Sequence, residues 1–173
     1  MKIVVGLGNY GKEYEGTRHN AGFLLVDKLN EGQAWNEDSK FEAWVNKTSE
    51  WVLVKPKTYM NESGRATRKI MDFYKIPHSD LILIHDDLDL KLGEYKIQEG
   101  VGPKIHNGVS SVERNVGDKR FWRVRLGVDN RKETGYVGSG ADYVLERFRS
   151  EERQILEQVI EKVIIEMKKM ELI

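Results

Sequence analysis

The sequence predicts an α/β fold, a single domain spanning residues 1–173 with a twisted, mixed β-sheet flanked by helices on both faces. Apolar runs typical of strands alternate along the chain with segments of helical periodicity, which is the pattern of layered α/β domains. The run at residues 81–84 is continuously apolar, as in a strand buried on both faces. Two strand-like segments at 41–47 and 51–54 are close enough to form a hairpin, so antiparallel pairs are expected beside parallel ones.

The first predicted elements are a strand at residues 2–5 and a helix at 21–31. Three consecutive aliphatic residues after Lys2 suit a short buried strand. Asn20 is expected to cap the helix, and Gly32 is expected to end it. Residues 33–39 are polar and are predicted to form a loop.

A second helix is predicted after the hairpin, with Asn61 or Ser63 as its cap. Its apolar positions repeat at helical spacing and comprise Ala66, Ile70, Phe73 and Tyr74. The apolar strand that follows is expected to end at the polar segment that begins with His85 and Asp86.

The remaining predicted elements are a strand at 94–98, a loop at 99–106, a short helix from 107, a strand at 122–128, a glycine-rich loop at 129–141 and a helix at 150–170. Arginines alternate with apolar residues in the strand at 122–128, which predicts one solvent-exposed face. The last helix is amphipathic, and its predicted apolar face comprises Ile155, Val159, Val163 and Met167.

Composition sets only broad limits on function. The 28 basic and 28 acidic residues cancel, so net charge does not indicate a nucleic-acid partner. Basic residues are nevertheless concentrated at 91–125, which holds eight Lys or Arg against four Asp or Glu. The absence of cysteine excludes disulfides, a cysteine nucleophile and thiolate metal ligands. The apolar run at the amino terminus is too short for the core of a signal peptide, and no stretch is long and apolar enough to span a membrane. A cytoplasmic protein without a membrane partner is therefore expected.

The glycines at positions 6, 8 and 11 match the spacing of a dinucleotide-binding fingerprint. That fingerprint needs a helix that opens at the third glycine, and the residues after Gly11 have no apolar helical period. The alternative is a tight loop whose glycines adopt unusual backbone angles. We therefore expect no nicotinamide or flavin cofactor.

Polar side chains capable of acid–base chemistry follow two of the predicted strands. Asn9 and His19 come after the first strand, and Asp86 follows the strand at 81–84. Because sites in α/β sheets gather beyond the carboxyl ends of strands, we expect these side chains to meet. No serine lies in a nucleophile elbow and cysteine is absent, so covalent catalysis has no obvious carrier in the sequence. The acidic cluster that includes Asp86 lacks the glycine and spacing of a calcium loop.

Four motifs in order carry a resemblance to a known family. The segment at 6–22 reads Gly-Leu-Gly-Asn-Tyr-Gly-x-x-Tyr-x-x-Thr-Arg-His-Asn-Ala-Gly and resembles the amino-terminal signature of bacterial peptidyl-tRNA hydrolases. Lys-Thr-Tyr-Met-Asn-Glu-Ser-Gly at 57–64 and His-Asp-Asp-Leu-Asp-Leu at 85–90 resemble the second and third motifs of that family. His-Asn-Gly at 106–108 resembles the end of the fourth.

The resemblance implies an enzyme that cleaves the ester between a peptide and the terminal ribose of tRNA, as a monomer without metal or cofactor. His19 would be the general base and Asp86 would fix its tautomer. The implied substrate-binding residues are Asn9, Tyr14, Tyr59, Met60, Asn61, His106 and Asn107. Lys96 and Arg125 would contact tRNA phosphate, giving affinity that falls with salt.

Two departures from the family pattern affect the expected cleft. Tyr10 stands where proline is usual, and Lys104 and Ile105 replace two glycines before the His-Asn-Gly motif. These changes affect the expected substrate preference and rate more than the reaction. The alternative function is a catalytically weakened RNA-binding relative, as in a splicing-factor branch of the superfamily. Alternative roles for Asn61 and Asn107 are simple helix caps.

Overall fold

The computed structural model describes residues 1–173 and contains one seven-stranded mixed sheet between layers of helices, as the sequence predicts. The strands are β1 (Lys2–Gly6), β2 (Asn36–Asp38), β3 (Ala43–Lys47), β4 (Trp51–Pro56), β5 (Leu81–Lys91), β6 (Tyr95–Glu99) and β7 (Trp122–Asp129). The α-helices are α1 (Ala21–Leu29), α2 (Ser63–Tyr74), α3 (Asn107–Val116), α4 (Arg131–Thr134), α5 (Gly140–Leu145) and α6 (Ser150–Lys169). None of these helices combines the length and the apolar character needed to cross a membrane.

The order of strands across the sheet is β2-β3-β4-β1-β5-β7-β6. β1 pairs in parallel with both β4 and β5, and β5 pairs in parallel with β7. The predicted hairpin is present as the antiparallel β3–β4 pair, and β2 and β6 pair antiparallel at the two edges. The carboxyl ends of β1, β4 and β5 consequently lie side by side, which brings the segments that follow them together.

Two hydrophobic cores lie on opposite faces of the sheet. Successive residues of β5 alternate between them: Leu81 and Leu83 pack with residues of α2 and α3, whereas Ile82 and Ile84 pack with residues of α1, α5 and α6. All four side chains are fully buried. The prediction of a strand buried on both faces is therefore confirmed.

The amino-terminal glycines are explained by close packing more than by backbone angle. Gly6 and Gly22 allow β1 to lie directly against the start of α1, because a β-carbon at either position would collide with backbone atoms of the neighbouring segment. Among the three fingerprint glycines, only Gly11 adopts a positive φ, of 111°. Our expectation of unusual backbone angles is therefore wrong for Gly6 and Gly8.

Several element boundaries differ from the prediction. The segment at 33–39, predicted as a loop, contains the edge strand β2, and the segment at 129–141 contains α4 and the start of α5. β5 continues through Asp86 to Lys91 instead of ending before it. On α6 the buried position is Leu156, and Ile155 is 40% exposed; on α2, Phe73 is 54% exposed. The alternation and periodicity of apolar residues indicate which kind of element forms. They do not determine where an element ends or which of its apolar side chains is buried.

β7 has no solvent-exposed face, contrary to the prediction. Its Arg123 and Arg125 are 2% and 6% exposed. Arg123 donates to Glu113 of α3 at 2.8 Å, and Arg125 donates through Nε to Asp87 of β5 at 2.7 Å. Ion pairing inside the protein thus replaces the expected contact with water, and the alternating pattern in the sequence does not distinguish the two cases.

Candidate active site

A cavity of about 750 Å³ opens at the carboxyl ends of β1 and β4, over the second half of β5. All nine side chains predicted from sequence to be catalytic or substrate-binding line it: Asn9, Tyr14, His19, Tyr59, Met60, Asn61, Asp86, His106 and Asn107. Four separate segments of the chain contribute them. The volume is that of a site for a small ligand or for one end of a larger one.

His19 and Asp86 are in direct contact. Nδ1 of His19 lies 2.9 Å from one carboxylate oxygen of Asp86 and 3.0 Å from the other. Asp86 is buried on β5 with 2% of its side chain exposed, and His19 is 13% exposed at the cavity. Because Nδ1 donates to the carboxylate, Nε2 of His19 carries the lone pair and is the nitrogen available to a proton in the cavity.

His19 lies on a short 3-10 turn, Arg18–Asn20, that leads into α1. The preceding Arg18 is fully buried and donates to both carboxylate oxygens of Glu152 on α6, at 3.0 and 2.8 Å. The Arg18 guanidinium also stacks on the ring of Tyr143 of α5, 3.9 Å from its centroid. The turn that carries His19 is therefore fixed to two helices on the other side of the cavity.

His106 makes a second hydrogen bond to Asp86, which sequence reasoning did not anticipate. Its Nε2 lies 2.8 Å from the carboxylate, and its ring packs 4.9 Å from that of His19. Its Nδ1 accepts hydrogen bonds from the backbone N–H groups of Gly108 and Val109, so His106 is the N-cap of α3. Since Nδ1 is an acceptor, Nε2 carries the hydrogen and donates it to Asp86.

The electrostatics of the pair follow from these contacts. Burial lowers the pKa of His19, but the charge of Asp86 and the hydrogen bond to it outweigh burial and leave that pKa above its ordinary value of 6.5. Burial raises the pKa of Asp86, but the two histidines outweigh it and hold that pKa far below its ordinary value. Asp86 is therefore an anion that stabilises the imidazolium form of His19 without taking its proton.

His19, Asp86 and His106 are also the one trio whose donor atoms lie near enough to hold a metal ion, all within 4.8 Å of one another. The hydrogen-bonding pattern disfavours that use. The Nδ1 lone pair of His106 is taken by two backbone N–H groups, and its Nε2 carries a hydrogen. A metal ion would have to displace that hydrogen from an imidazole whose other nitrogen is already an acceptor.

Asn9 is held by Asn20, the predicted cap of α1. Asn20 is the N-cap residue of α1, as expected, but its side chain makes no capping hydrogen bond. It accepts instead from the backbone N–H of Asn9 at 2.8 Å and donates to the Asn9 carbonyl at 2.9 Å. Oδ1 of Asn9 in turn accepts from the backbone N–H of Met60 at 2.7 Å. The Asn9 side-chain NH₂ is therefore the group left to a ligand.

Asn61 and Asn107 are not helix caps, since Asn61 lies two positions before α2 and Asn107 is the first residue of α3. The N-cap of α2 is Glu62, without a side-chain bond, and His106 caps α3. Both asparagines are exposed and line the cavity. The interpretation of these residues as simple caps is therefore wrong, and their carboxamides remain available as neutral donors and acceptors.

Tyr59 forms the lip of the cavity in a strained conformation. Its φ of 56° and ψ of 164° lie in a region that is essentially restricted to glycine and costs on the order of 1–3 kcal/mol. Its ring packs 4.5 Å from that of Tyr10, the residue that stands where the family pattern has proline, and 6.3 Å from that of Tyr14. Tyr14 and Tyr59 line the cavity, whereas Tyr10 contacts Tyr59 without being part of the lining.

Lys96 and Arg125, the predicted phosphate contacts, do not line the cavity. They face each other in the register of β6 and β7. Lys96 is exposed, whereas Arg125 is buried between Asp87 and Gln98. In this structure Lys96 alone of the two presents its charge to solvent.

The opposite wall of the cavity was not predicted. It is apolar and comprises Leu88, Gly140, Ala141, Val144 and Leu145. Four of these residues lie on α5, in and after a segment predicted as a loop. The signal available in the sequence was Ser139, which caps α5 by accepting from the backbone N–H of Asp142.

Comparisons with known proteins identify the family to which the chain is similar. The model of the peptidyl-tRNA hydrolase family matches residues 3–171. A peptidyl-tRNA hydrolase of Ligilactobacillus salivarius is 38% identical over 169 residues, covering 95% of this chain and 89% of that protein. One of Bacillus cytotoxicus is 42% identical over 170 residues, covering 94% and 88%. The crystal structure of peptidyl-tRNA hydrolase from Acinetobacter baumannii is 29% identical with a TM-score of 0.83, covering 99% of this chain and 92% of that one.

Proposed function

The chain belongs to the peptidyl-tRNA hydrolase family, and we propose that His19 is the general base that activates water for cleavage of the peptidyl-tRNA ester. The protein is an ester hydrolase that acts on peptidyl-tRNA. The observation that carries the assignment of His19 is its contact with Asp86, because a buried carboxylate at 2.9 Å from Nδ1 leaves Nε2 as a base facing the cavity.

In the proposed reaction, Nε2 of His19 takes a proton from water as the water oxygen attacks the ester carbonyl carbon. The bond from that carbon to the ribose oxygen then breaks, and the proton on His19 passes to the departing ribose oxygen. Asp86 remains a carboxylate throughout and stabilises the imidazolium that forms between the two steps. Two products leave, a peptide with a free carboxyl group and a tRNA with a free terminal ribose.

The three carboxamides have complementary proposed roles. Two hydrogen bonds fix the backbone of Asn9 and a third fixes its Oδ1, so its NH₂ group is held in place as a donor. Such a preorganised donor stabilises an oxyanion as charge develops on the carbonyl oxygen. Asn61 and Asn107 would bind peptide main chain, since carboxamides pair with any peptide group whatever its side chain. Tyr14, Tyr59 and Met60 would enclose the peptide, and His106 would hold Asp86 in place.

The tRNA is proposed to extend past the cavity toward β6, where Lys96 is exposed. A lysine there contributes affinity that depends on salt and not on sequence. Arg125 would act on the same region either by direct contact or by holding Asp87. We propose a cytoplasmic monomer that uses neither metal nor cofactor.

The test is hydrolysis of N-acylated aminoacyl-tRNA compared with free aminoacyl-tRNA, with a chelator present throughout. We expect rapid release of the acylated amino acid and much slower release of the free one. The RNA-binding alternative predicts tRNA binding with no ester cleavage. The relatives named as hydrolases favour the enzyme. Cleavage that occurs only in a parallel reaction without the chelator would contradict the proposed metal-free reaction.

A further inference from the structure

The loop between β6 and α3 is fixed to the strands below it. Arg123 of β7 donates to the carbonyl oxygen of Gly102. The backbone N–H of Lys104 donates to the carboxylate of Asp89 on β5 at 2.8 Å. The next residue, Ile105, is therefore presented at a defined place on the rim of the cavity, which it helps to line.

Ile105 is anchored on both sides and yet exposed. It lies between the bonded backbone of Lys104 and the buried ring of His106, which is held by Asp86 and by the first turn of α3. Its own side chain is 89% exposed. The free protein thus keeps a β-branched apolar side chain in water without a packing partner, on a loop whose position is set by other residues.

Other exposed apolar side chains border the same cavity. Tyr59 is 43% exposed and Leu145 is 46% exposed, and both line it together with Ile105. Single exposed apolar residues are common on protein surfaces and need no explanation. Three around one cavity provide apolar surface that a bound molecule would remove from water.

We propose that Ile105 is a specificity-determining residue that favours peptidyl-tRNAs whose peptide carries an aliphatic side chain at the rim. This inference rests on the proposed function and names the substrate subclass of the same site. Ile105 lies two positions before Asn107, whose carboxamide is the proposed partner of the peptide main chain. A side chain of a peptide bound there would lie within reach of the rim.

The chemistry of the rim favours an aliphatic side chain over a nucleobase. Bases stack on flat aromatic or guanidinium surfaces. Ile105 and Leu145 are branched and aliphatic, so they suit a leucine or isoleucine side chain better than a ring face. The flat rings that line the cavity belong to other residues, which include Tyr14 and Tyr59.

The experiment compares kcat/KM for substrates that share one tRNA body and differ in one side chain. One pair is N-acetyl-leucyl-tRNA and N-acetyl-seryl-tRNA, which vary the esterified residue. The other pair is N-acetyl-leucyl-glycyl-tRNA and N-acetyl-seryl-glycyl-tRNA, which vary the residue before it. In at least one pair, we expect the wild type to have a kcat/KM about fivefold higher for the leucyl substrate than for the seryl substrate. Partial burial of an aliphatic side chain accounts for a ratio of that size.

Ile105→Thr should reduce that preference severalfold, mainly through KM, because it keeps the β-branch and removes apolar surface. Ile105→Leu should retain it. The matched control is Val137→Thr, because Val137 is 95% exposed and lies outside the cavity lining. This control should leave the preference unchanged. Thermal unfolding of all three variants should match the wild type, since both side chains are largely exposed.

Four results would overturn the inference. The first is equal hydrolysis of the leucyl and seryl substrates by the wild type, and the second is a leucine preference in Ile105→Thr equal to that of the wild type. The third is a loss of the leucine preference in Val137→Thr equal to that in Ile105→Thr. The fourth is complete loss of hydrolysis in Ile105→Thr. If Ile105→Thr lowers kcat/KM equally for the leucyl and seryl substrates, the preference is unchanged, which is a case of the second result. That outcome would assign Ile105 to the tRNA end of the substrate. Failure of the wild type to hydrolyse any of the four substrates would instead overturn the proposed function.

Discussion

Nδ1 of His19 lies 2.9 Å from the carboxylate of Asp86, across 67 positions of sequence. The carboxylate belongs to an interior strand and is 2% exposed, so its position is set by the sheet. The imidazole lies on a turn and borders the cavity. The rigid carboxylate of Asp86 thus orients the imidazole of His19, which substrate can reach. The predictions about the reaction depend on this contact.

His19→Ala should abolish nearly all hydrolysis of N-acylated aminoacyl-tRNA while leaving the fold intact. Loss of a positioned base costs roughly 10²- to 10⁴-fold in rate. The variant should keep the circular dichroism spectrum and tRNA affinity of the wild type. His78→Ala is the matched control, since His78 lies on the surface 3.4 Å from Asp118, and should retain full activity. Turnover like that of the wild type in His19→Ala would falsify the assignment of the base.

Asp86→Asn should change the pH profile as well as the rate. The wild-type kcat/KM should rise with pH through a midpoint above 6.5, because His19 must be neutral to act and Asp86 raises its pKa. Without the charge of Asp86, burial still lowers the pKa of His19, so the midpoint should move to lower pH. The plateau rate should fall by roughly 10²- to 10⁴-fold as the tautomer is no longer fixed. A profile with an unchanged midpoint would show that the titrating group is not His19.

Asn20→Ala should lower kcat through Asn9. The substitution leaves the buried backbone N–H and carbonyl of Asn9 without their partners, at a cost of about 1–3 kcal/mol. Asn30→Ala is the matched control, because Asn30 is also buried and bonds to Asn46 and to the Gln33 carbonyl, away from the cavity lining. Both variants should lose stability in urea unfolding, and Asn20→Ala alone should lose kcat. Equal kinetic losses in the two would indicate a general effect of destabilisation.

Lys96→Ala should raise the KM for peptidyl-tRNA and flatten its dependence on salt. The loss of one phosphate contact reduces the slope of log affinity against log salt by nearly one unit. Lys47→Ala is the control, because Lys47 lies on β3, which is separated from β6 by four strands of the sheet. It should leave both quantities unchanged. An effect of Lys96→Ala on kcat alone would place the lysine elsewhere than on the tRNA path.

Arg125→Ala should destabilise the protein by about 3–5 kcal/mol in urea unfolding. The substitution leaves the fully buried carboxylate of Asp87 without its cation. Arg120→Ala removes a comparable contact at 2.8 Å from Asp118, but Arg120 is 75% exposed, so this control should leave stability nearly unchanged. KM for Arg125→Ala, measured well below its unfolding temperature, tests the phosphate contact separately. A KM and salt slope equal to those of the wild type would assign Arg125 to structure alone.

Most of the fold followed from local patterns in the sequence. The four-residue apolar run at 81–84 indicated a strand with both faces covered, and the hairpin indicated a mixed sheet. Both predictions are confirmed, because each depends on the composition of a few neighbouring residues. The edge strand β2 and the helix α5 were not predicted, since β2 is polar and α5 is only six residues long, and each forms regular structure where the surrounding fold provides partners.

The sequence by itself determined that Asn9, His19 and Asp86 would meet, because Asn9 and His19 follow β1 and Asp86 follows the apolar half of its parallel neighbour β5. Only the tertiary structure decided how they are bonded. It bonded the side chain of Asn20 to the backbone of Asn9 and not to the first turn of α1, joined His106 to Asp86, and buried Arg125 beside Asp87. Each of these contacts joins segments at least 11 positions apart. Spacing along the chain specifies periodicity within an element, whereas a hydrogen bond between elements depends on distances that only packing sets.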